Sequence, residues 1–498
     1  MKAYISAPLV GIAVAVMLGI VAGDAFSIAH VYGLIAMAVV LVPTILTLRL
    51  PLTNTLLLHL FFFLFGLTLL SYHRQSLQYA DDQQMYTYQM VIASEMVEKP
   101  KTLACDLLLT DNGRKVRGYI WKSEQSRQLQ VGDGLVVQTR IAMPTDQGRN
   151  GFDYGRYLTV NGYSGQCFIR SWHTEALQLN GLSRFQKTRL WFLEKRHSVL
   201  QKLRQWGATS DVYGVLAAMT LGDKSALSRE VKDTYADTGA SHILALSGLH
   251  LGIIYALLSL LLPVRRFRLV SQVLLVLGIW CFAFLSGLSP SVTRAATMLS
   301  IYALLSLAHR DQMSVNALAF SALLLLTANP YALFNVSFQL SYMAVLSILL
   351  MMPLLYNNKV TIRFLQRHPI LKWLWGIMAV SFSAQIGVLP LLVYHFGQVS
   401  VWFMVTNLVV MPATTFILYG TVLLLVLPFA PIAQALFAIV GGLNTVLEWL
   451  QKWPLASIDG LHATVLQVAM YYLLVWILFI SIPTILGCRS DWRQPSRV

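Results

Sequence analysis

The segment "SHILALSGLHLG" (Ser241–Gly252) combines an apolar, membrane-like pattern with polar residues. It opens a run that continues "IIYALLSLLLP", yet it carries two histidines, two serines and two glycines. In a regular helix, Ser247 and His250 lie three residues apart on one face, and His242 is close enough round the helix to share their seam. A break at Gly248 is the alternative. A polar seam of this kind indicates residues that line a path, although a single membrane histidine ordinarily serves hydrogen-bonded packing.

Two chemical roles are disfavoured for this seam. No carboxylate or third histidine follows closely in the sequence to complete a metal site. A Ser/His nucleophilic pair would lack the third group that orients the base. We therefore expect no metal, no cofactor and no catalytic residue in this segment.

The composition places the chain among membrane proteins. Of its 498 residues, 56% are hydrophobic and 12% are charged, whereas soluble domains carry about 25% charged residues. Twelve apolar runs approach the ~20 residues needed to span a bilayer: 3–23, 31–48, 52–71, 243–262, 270–287, 291–308, 314–328, 332–354, 373–393, 401–427, 432–450 and 465–486. The first is interpreted as a retained span, because no small-residue cleavage site follows it. The predicted fold class is a polytopic α-helical membrane protein of about 12 spans.

The net charge of +15 is unevenly distributed and orients the spans. Residues 72–182 contain 12 basic and 11 acidic residues, so the excess lies elsewhere, as in "RRFR" (265–268), 359–372 and the C-terminal tail. Cytoplasmic loops accumulate Lys and Arg. If 72–182 is extracytoplasmic, these clusters and both termini become cytoplasmic. The expected location is the inner (plasma) membrane, in contact with its lipids.

The polar block 72–182 has the pattern of short strands. "LACDLLLT" alternates, "DNG" (111–113) is a strong hairpin turn, and "KVRGYIW" follows. We expect a small extracytoplasmic antiparallel β-barrel, such as an OB-fold, inserted after the N-terminal helices (1–71). Its aromatic residues are candidates either to stack nucleic-acid bases or to fill the core: Tyr119, Trp121, Phe152, Tyr154 and Tyr157.

The four cysteines show no C-x-x-C or Cys/His pattern, which argues against a zinc site. Cys105 and Cys167 both fall in the polar block. A disulfide between them is one prediction if the block faces an oxidising compartment. Two independent buried residues are the alternative.

Residues 183–206 have the pattern of a basic amphipathic helix, with seven basic residues and one acid beside an apolar stripe. The simplest interpretation is a helix in the membrane interface. The alternative is a surface that also attracts a polyanion, whose binding would weaken as salt rises.

Two segments carry helix-start chemistry. Ser241 precedes the apolar run of the opening segment, and Ser289 is followed by Pro290, the usual pairing of N-cap and first turn. In the topology above both helices start at the extracytoplasmic face. Their free N–H groups would form an anion site, as discontinuous membrane helices do in transporters.

Arg294 lies about one turn into the second of these helices. It shares a face with Ser291, and an arginine in an apolar span is costly enough to be a functional hypothesis by default. We expect it to face an anion in a watery path. A structural clamp on backbone carbonyls is the alternative.

Several motifs along the chain resemble those of ComEC-type competence proteins. They are "TLGDKSALSREVKDTYADTGASHILALSGLHLGI" (220–253), "SGLSPSVTRAATM" (286–298), "NVSFQLSYMAVLSI" (335–348) and "LPLLVYHFGQVSVWFMVTNLVVMP" (389–412). In addition, "GRNGFDYGRYL" (148–158) resembles part of that family's amino-terminal extracytoplasmic domain. Their order and spacing also fit, so the resemblance covers nearly the whole chain.

The resemblance implies an inner-membrane channel that brings one strand of transforming DNA into the cytoplasm. Residues 72–182 would receive the DNA and residues 207–498 would form the channel domain. The implied partners are single-stranded DNA, a separate DNA receptor, a nuclease and a cytoplasmic motor, with homo-oligomerisation open. The matching channel positions are His242, Ser247, Gly248, His250, Pro290, Ser291, Arg294, Gln339, Ser341, Gln398 and Asn407. For each polar residue in the spans, helix packing is the alternative.

The sequence departs from many family members in one respect. Those members continue into a metallo-β-lactamase-like domain, whereas this chain ends twelve residues after its last apolar run and its eleven histidines include no H-x-H pair. We therefore expect a short form without that hydrolase chemistry. The rival interpretations are a transporter or flippase of another anionic substrate, such as a lipid or cell-wall precursor, and an intramembrane hydrolase using His242, Ser247 and His250.

Overall fold

The computed structural model describes residues 8–485, apart from a few gaps. The gaps are 27, 78–83, 145–152, 175–181, 263–266, 308–314, 357–364, 366 and 455. Phe152, most of the basic segments used to orient the spans, and the C-terminal tail lie outside the described residues.

The described chain is mostly helical. The helices are α1 Pro8–Ala25, α2 His30–Leu46, α3 Pro51–Leu77, α4 Tyr154–Val160, α5 Arg184–Gln205, α6 Ser210–Leu221, α7 Arg229–Asp237, α8 Ser241–Leu244, α9 Gly248–Leu261, α10 Arg268–Leu285, α11 Pro290–Leu307, α12 Val315–Ala328, α13 Val336–Tyr356, α14 Pro369–Phe396, α15 Phe403–Val426, α16 Ala430–Gln451 and α17 Val465–Ile485. A 3₁₀ turn, Pro330–Phe334, precedes α13.

Within the described ranges, seven helices are long and apolar enough to cross a membrane, so this is a membrane protein. They are α1, α3, α10, α13, α14, α15 and α16. Five further helices, α2, α6, α9, α12 and α17, are apolar but shorter in their described parts. Each of the twelve predicted runs overlaps a helix. The count of twelve spans is nevertheless not confirmed, because four of these helices (α2, α9, α12 and α17) are short and α11, which carries Arg294, falls in neither group.

Close backbone contact joins the first helices. A Cβ atom added at Gly19 of α1 would overlap the Phe63 carbonyl oxygen of α3, and one at Gly66 would overlap the Val16 carbonyl oxygen. Glycine has no side chain, so it allows the two helix backbones to approach this closely. Close approach stabilises the pair because dispersion contacts, and not the exclusion of water, hold membrane helices together.

The polar domain contains strands β1 Tyr86–Ile92, β2 Val97–Glu98, β3 Thr102–Leu109, β4 Lys115–Trp121, β5 Gly134–Thr139, β6 Tyr163–Ile169 and β7 His173–Thr174. Their order is β6-β4-β3-β1-β5-β7, with β2 beside β3. The "DNG" segment is the turn between β3 and β4. The predicted antiparallel barrel is not confirmed: β4 and β6 run parallel, and an isolated bridge, Ala142–Gln166, stands in place of a continuous ladder that would close the sheet.

Cys105 and Cys167 are free, buried thiols. They lie on β3 and β6, and both are in register with Gly118 of the intervening β4. Two strand spacings of about 4.8 Å separate their backbones, more than the ~7 Å that a disulfide tolerates between Cα atoms. The predicted disulfide is therefore not formed, and burial raises the pKa of the Cys105 thiol to about 12. The structure matches the alternative of two independent core residues.

The predicted basic helix forms as α5, with a capping box between Ser183 and Gln186. Its apolar stripe is buried against protein. Leu190 belongs to a cluster with Val91 and Leu108 of the polar domain, and Leu200 packs with the cluster around α6, α15 and α16. This stripe therefore packs against protein, and α5 joins the polar domain to the helical bundle. The position of α5 at the membrane interface stays a prediction.

Candidate functional site

The chain breaks between α8 and α9, inside the segment predicted to be one span. Helix α8 ends at Leu244 and α9 begins at Gly248, with Ser247 as its N-cap. The Nδ1 atom of His250 lies 3.3 Å from the Ser247 N–H nitrogen and 3.0 Å from its hydroxyl oxygen. The single regular seam is therefore wrong, and the break at Gly248 is correct. Since α9 has 14 residues, it rises only about 21 Å, less than the ~30 Å of a bilayer core.

His242, on α8, has an exposed side chain. Its Nδ1 lies 3.0 Å from the Gly239 carbonyl oxygen, whereas His250 is fully buried. Of the two histidines, His242 is the one whose side chain is exposed, so it is the one that a ligand could contact.

The starts of α9 and α11 are adjacent. A Cβ atom added at Gly248 would meet the Ala295 Cβ at 3.6 Å, and Leu246 and Val292 share one buried cluster. Helix α11 begins at Pro290, as predicted. The start of α9 therefore lies against the first two turns of α11.

Arg294 is buried and joins α11 to the first turn of α13. Its Nη2 donates to the Ser337 carbonyl at 2.8 Å, to the Ser337 hydroxyl at 2.8 Å and to the Ser291 hydroxyl at 3.2 Å. The two hydroxyls lie 3.0 Å apart. This geometry is that of the structural clamp and does not match an arginine facing solvent and a passing anion.

Gln339 connects three elements. Its Nε2 donates to the Leu333 carbonyl at 3.0 Å, in the 3₁₀ turn, and its Oε1 lies 3.1 Å from Nε2 of His395 on α14. Ser341, two residues further along α13, is half-buried. Gln339 therefore lies near the Arg294 clamp, at the same end of α13.

Gln398 belongs to a second group of residues. It donates to Asp237, at the end of α7, at 3.3 Å, and Gln451 of α16 donates to the other oxygen of Asp237 at 2.7 Å. The same loop contains strand β8 (Val399–Ser400), which pairs with β9 (Ser457–Ile458). Because a Cβ atom at Gly239 would lie 2.9 Å from Ser400, this group adjoins the loop before His242.

Asn407 lies apart from both groups. It is buried between α14 and α15, and its Nδ2 donates to the Ser381 hydroxyl at 3.1 Å. Its position is that of a hydrogen bond between packed helices.

Sequence reasoning missed several residues around these groups. Ser337 follows Asn335 in a helix-start pattern, and its N–H donates to Asn335 Oδ1 at 2.9 Å, so a signal for it existed. Arg196 of α5 had no such signal among seven basic residues. It is buried, its Nη2 lies 3.9 Å from Asp223, and its Nη1 would lie 2.9 Å from a Cβ atom at Gly287, just before α11.

Helix α6 was missed because its 12 residues fall below the length of a span. Among the described residues, no three His, Cys, Asp or Glu side chains converge where they could hold a metal ion.

The polar domain docks on the first helices through Asp24. The Asp24 carboxylate lies 2.7 Å from Arg156 of α4 and 3.3 Å from Arg74 of α3. The Arg156 guanidinium also lies 5.2 Å from the centre of the Phe334 ring, in the 3₁₀ turn before α13. Helix α4 therefore lies next to the elements that carry the Arg294 clamp.

Two curated relatives align with this chain over substantial lengths. "ComE operon protein 3" of Bacillus subtilis (strain 168) is 36% identical over 214 residues, which is 43% of this chain and 26% of the relative. "Recombination protein 2" of Haemophilus influenzae (strain ATCC 51907 / DSM 11121 / KW20 / Rd) is 22% identical over 435 residues, which is 82% of this chain and 52% of the relative. The chain thus spans about a quarter to a half of the length of these relatives. No solved structure matches it significantly.

The family model described as "Competence protein" matches residues 219–484. The match contains the α8–α9 break, the Arg294 clamp, Gln339, Gln398 and Asn407. It covers more than half of the chain, so the chain belongs to the competence protein family, of the ComEC type to which its motifs pointed.

Proposed function

We propose that this chain is an inner-membrane channel through which a single DNA strand enters the cytoplasm during natural competence. The observation that carries this proposal is the break between α8 and α9, beside the start of α11. Family membership supports a role in DNA uptake, and the break supplies a place where a strand could pass.

Adjacent helix N-termini favour an anionic substrate. Each N-terminus carries a partial positive charge, because the backbone N–H groups of its first turn all point toward that end. Discontinuous membrane helices use such ends to hold anionic groups near the middle of the bilayer. The ends at Gly248 and Pro290 would contact successive phosphates of a strand.

A conduit must also release what it binds. The accessible side chain at the break, His242, is a weak polar contact, and the nearby cations are engaged elsewhere: Arg294 holds Ser337 and Arg196 approaches Asp223. Weak, repeated contacts of this kind allow permeation, because binding has to be loose enough for the ligand to leave.

The remaining features of the proposal follow from the resemblance and the charge pattern. The polar domain would be extracytoplasmic and both termini cytoplasmic. A separate receptor, nuclease and motor would act with the channel, and the chain itself would catalyse no reaction. The Ser247–His250 contact is that of a helix cap, so an intramembrane hydrolase remains the less favoured alternative.

Uptake of labelled DNA into the cytoplasm tests the proposal. Cells carrying wild type, a deletion, His242→Ala or the control His59→Ala, at matched protein levels, would be compared for internal single strand. His59 is a matched control because it packs against Gly11 in the α1–α3 pair, away from the break. We expect loss in the deletion, reduced uptake in His242→Ala and normal uptake in the control. Unchanged uptake in the deletion would exclude the DNA assignment.

A further inference from the structure

We infer that the outer face of β4 and β6, together with α4, is a stacking platform for the unpaired bases of a DNA strand. We call this surface the aromatic ribbon. It consists of Tyr119, Trp121, Tyr154, Tyr157, Phe168 and Arg170. The inference rests on the proposed function for the identity of the strand, and it assigns the surface that would receive it.

The rings of the ribbon form a continuous series. Tyr119 and Phe168 stack with centroids 5.1 Å apart and planes at 18°. The Tyr119 hydroxyl lies 2.7 Å from that of Tyr154, and Tyr154 stacks on Tyr157 at 5.7 Å and 15°. Phe168 is 55% exposed and Tyr157 is 47% exposed, so ring surface remains available for a ligand.

Charge complementarity selects the ligand. The Arg170 guanidinium lies 5.6 Å from the centre of the Trp121 ring. Lys115 and Arg117 lie on the same face of β4 and both pair with Asp106 of β3, so this face holds three cations and one carboxylate. Strands β4 and β6 contain no Asp or Glu. Aromatic rings interleaved with cations are the usual surface for single-stranded nucleic acid, since each base has a π face and each linkage is an anion.

Other parts of the sheet are covered. Helix α5 lies across the outer face of β1 and β3, where Leu190 packs with Val91 and Leu108, and every residue of β3 after Thr102 is buried. A strand therefore has access to β4 and β6 but not to that neighbouring face.

The ribbon leads toward the candidate site. Tyr154 and Tyr157 lie on α4, whose Arg156 contacts Asp24 and Phe334. Just beyond α4, Asn161 Oδ1 accepts from Asn335 Nδ2 at 3.4 Å. Asn335 in turn accepts from the Ser337 N–H, and Ser337 holds Arg294. A strand stacked on the ribbon would thus be carried to the start of α13, beside α11 and α9.

The test is equilibrium binding by the purified full-length protein in lipid nanodiscs. The probe is a fluorescein-labelled deoxythymidine 20-mer, followed by anisotropy at several salt concentrations. The main variant is Phe168→Leu, which keeps an apolar side chain but removes the ring, and Phe168→Trp should rescue it. Tyr86→Leu is the matched control, because Tyr86 is an exposed aromatic of β1 outside the ribbon. Photo-crosslinking of a 5-iododeoxyuridine strand, mapped by mass spectrometry, gives an independent readout.

We expect Phe168→Leu to weaken binding about fivefold or more, as loss of one stacked base does, with crosslinks in the peptide that contains Phe168. Arg170→Gln should reduce the salt dependence of binding. The inference is overturned if wild type binds the 20-mer and Phe168→Leu binds equally well, or if crosslinks map elsewhere. It is also overturned if duplex DNA or a chitooligosaccharide, standing for a cell-wall glycan, displaces the probe as well as single strand does. Failure of the proposed function is a separate result, seen as normal uptake in cells with the deletion.

Discussion

Arg294 of α11 donates to the backbone carbonyl of Ser337 of α13 at 2.8 Å. The contact joins the two helices at the ends where they begin. The sequence predicted that Arg294 faces an anion in a watery path. In the structure, its contact with Ser337 positions α11 against α13.

We expect Arg294→Ala to lower the melting temperature of the purified protein, because the substitution removes the two hydrogen bonds that tie α11 to Ser337 of α13. A hydrogen bond from a charged group contributes about 1.5–3 kcal/mol. Uptake should fall in parallel, since α11 would shift. Ser291→Ala is the milder control, because Arg294 keeps both contacts with Ser337. An unchanged melting temperature with abolished uptake would contradict the structural role and indicate that Arg294 contacts the DNA strand.

His250 is expected to act as a helix cap and not as a base. His250→Ala should destabilise α9 by about 1 kcal/mol, whereas His250→Gln should retain most stability and uptake, because glutamine at this position also completes a capping box. Thermal unfolding and uptake of both variants would be measured together. If Gln is as inactive as Ala while both remain as stable as wild type, the ring has a chemical role.

The ion cluster of Asp106 should make the stability of the polar domain depend on pH. Burial alone would raise the pKa of Asp106, but ion pairs with Lys115 at 2.8 Å and Arg117 at 2.5 Å and a bond from Tyr163 lower it below its usual 3.8. A carboxyl with a depressed pKa stabilises the fold fully above its unfolded pKa, and this stabilisation is lost as pH falls through the folded value.

Asp106→Asn should therefore destabilise the protein at pH 7 by about 3 kcal/mol, since it leaves the buried cations Lys115 and Arg117 without their carboxylate partner. It should also flatten the loss of stability below pH 4. Melting temperatures from pH 3 to 7 would measure both effects. Asp111→Asn, in the exposed β3–β4 turn, is the matched control. An equal acid response in wild type and Asp106→Asn would contradict the assignment.

The contact between α1 and α3 should not tolerate a side chain. Gly66→Leu would place atoms against the Val16 carbonyl, so we expect poor yield and aggregation in detergent. Gly252→Leu is the control in α9, because a Cβ there meets no atom within 4 Å. The yield and the size-exclusion profile of each variant in detergent would be measured and compared with those of wild type. A monodisperse Gly66→Leu protein at wild-type yield would show that the helices can separate without loss of fold.

Local patterns in the sequence predicted most of the elements. Every predicted apolar run overlaps a helix, although the run 243–262 is interrupted between α8 and α9, "KVRGYIW" is β4, and α11 begins at Pro290. These features depend on hydropathy, turn residues and capping within a few neighbouring positions, all of which can be read along the chain. The family motifs were equally visible, because they are continuous segments.

Contacts between distant segments were decided by the tertiary structure. Ser337 lies 43 residues from Arg294, and no periodicity in α11 specifies that partner. The intervening strand β4 separates Cys105 from Cys167, and the apolar stripe of α5 packs on β1 and β3.

The sequence by itself therefore determined that this is a helical membrane protein with an inserted β domain, and it offered the break at Gly248 only as an alternative to a regular helix. The fold alone decided which polar groups are consumed in packing, as Arg294 and Asn407 are, and which remain accessible, as His242 is. The physical reason is that hydropathy acts along the chain, whereas a buried polar group is stable only where the fold brings it a partner.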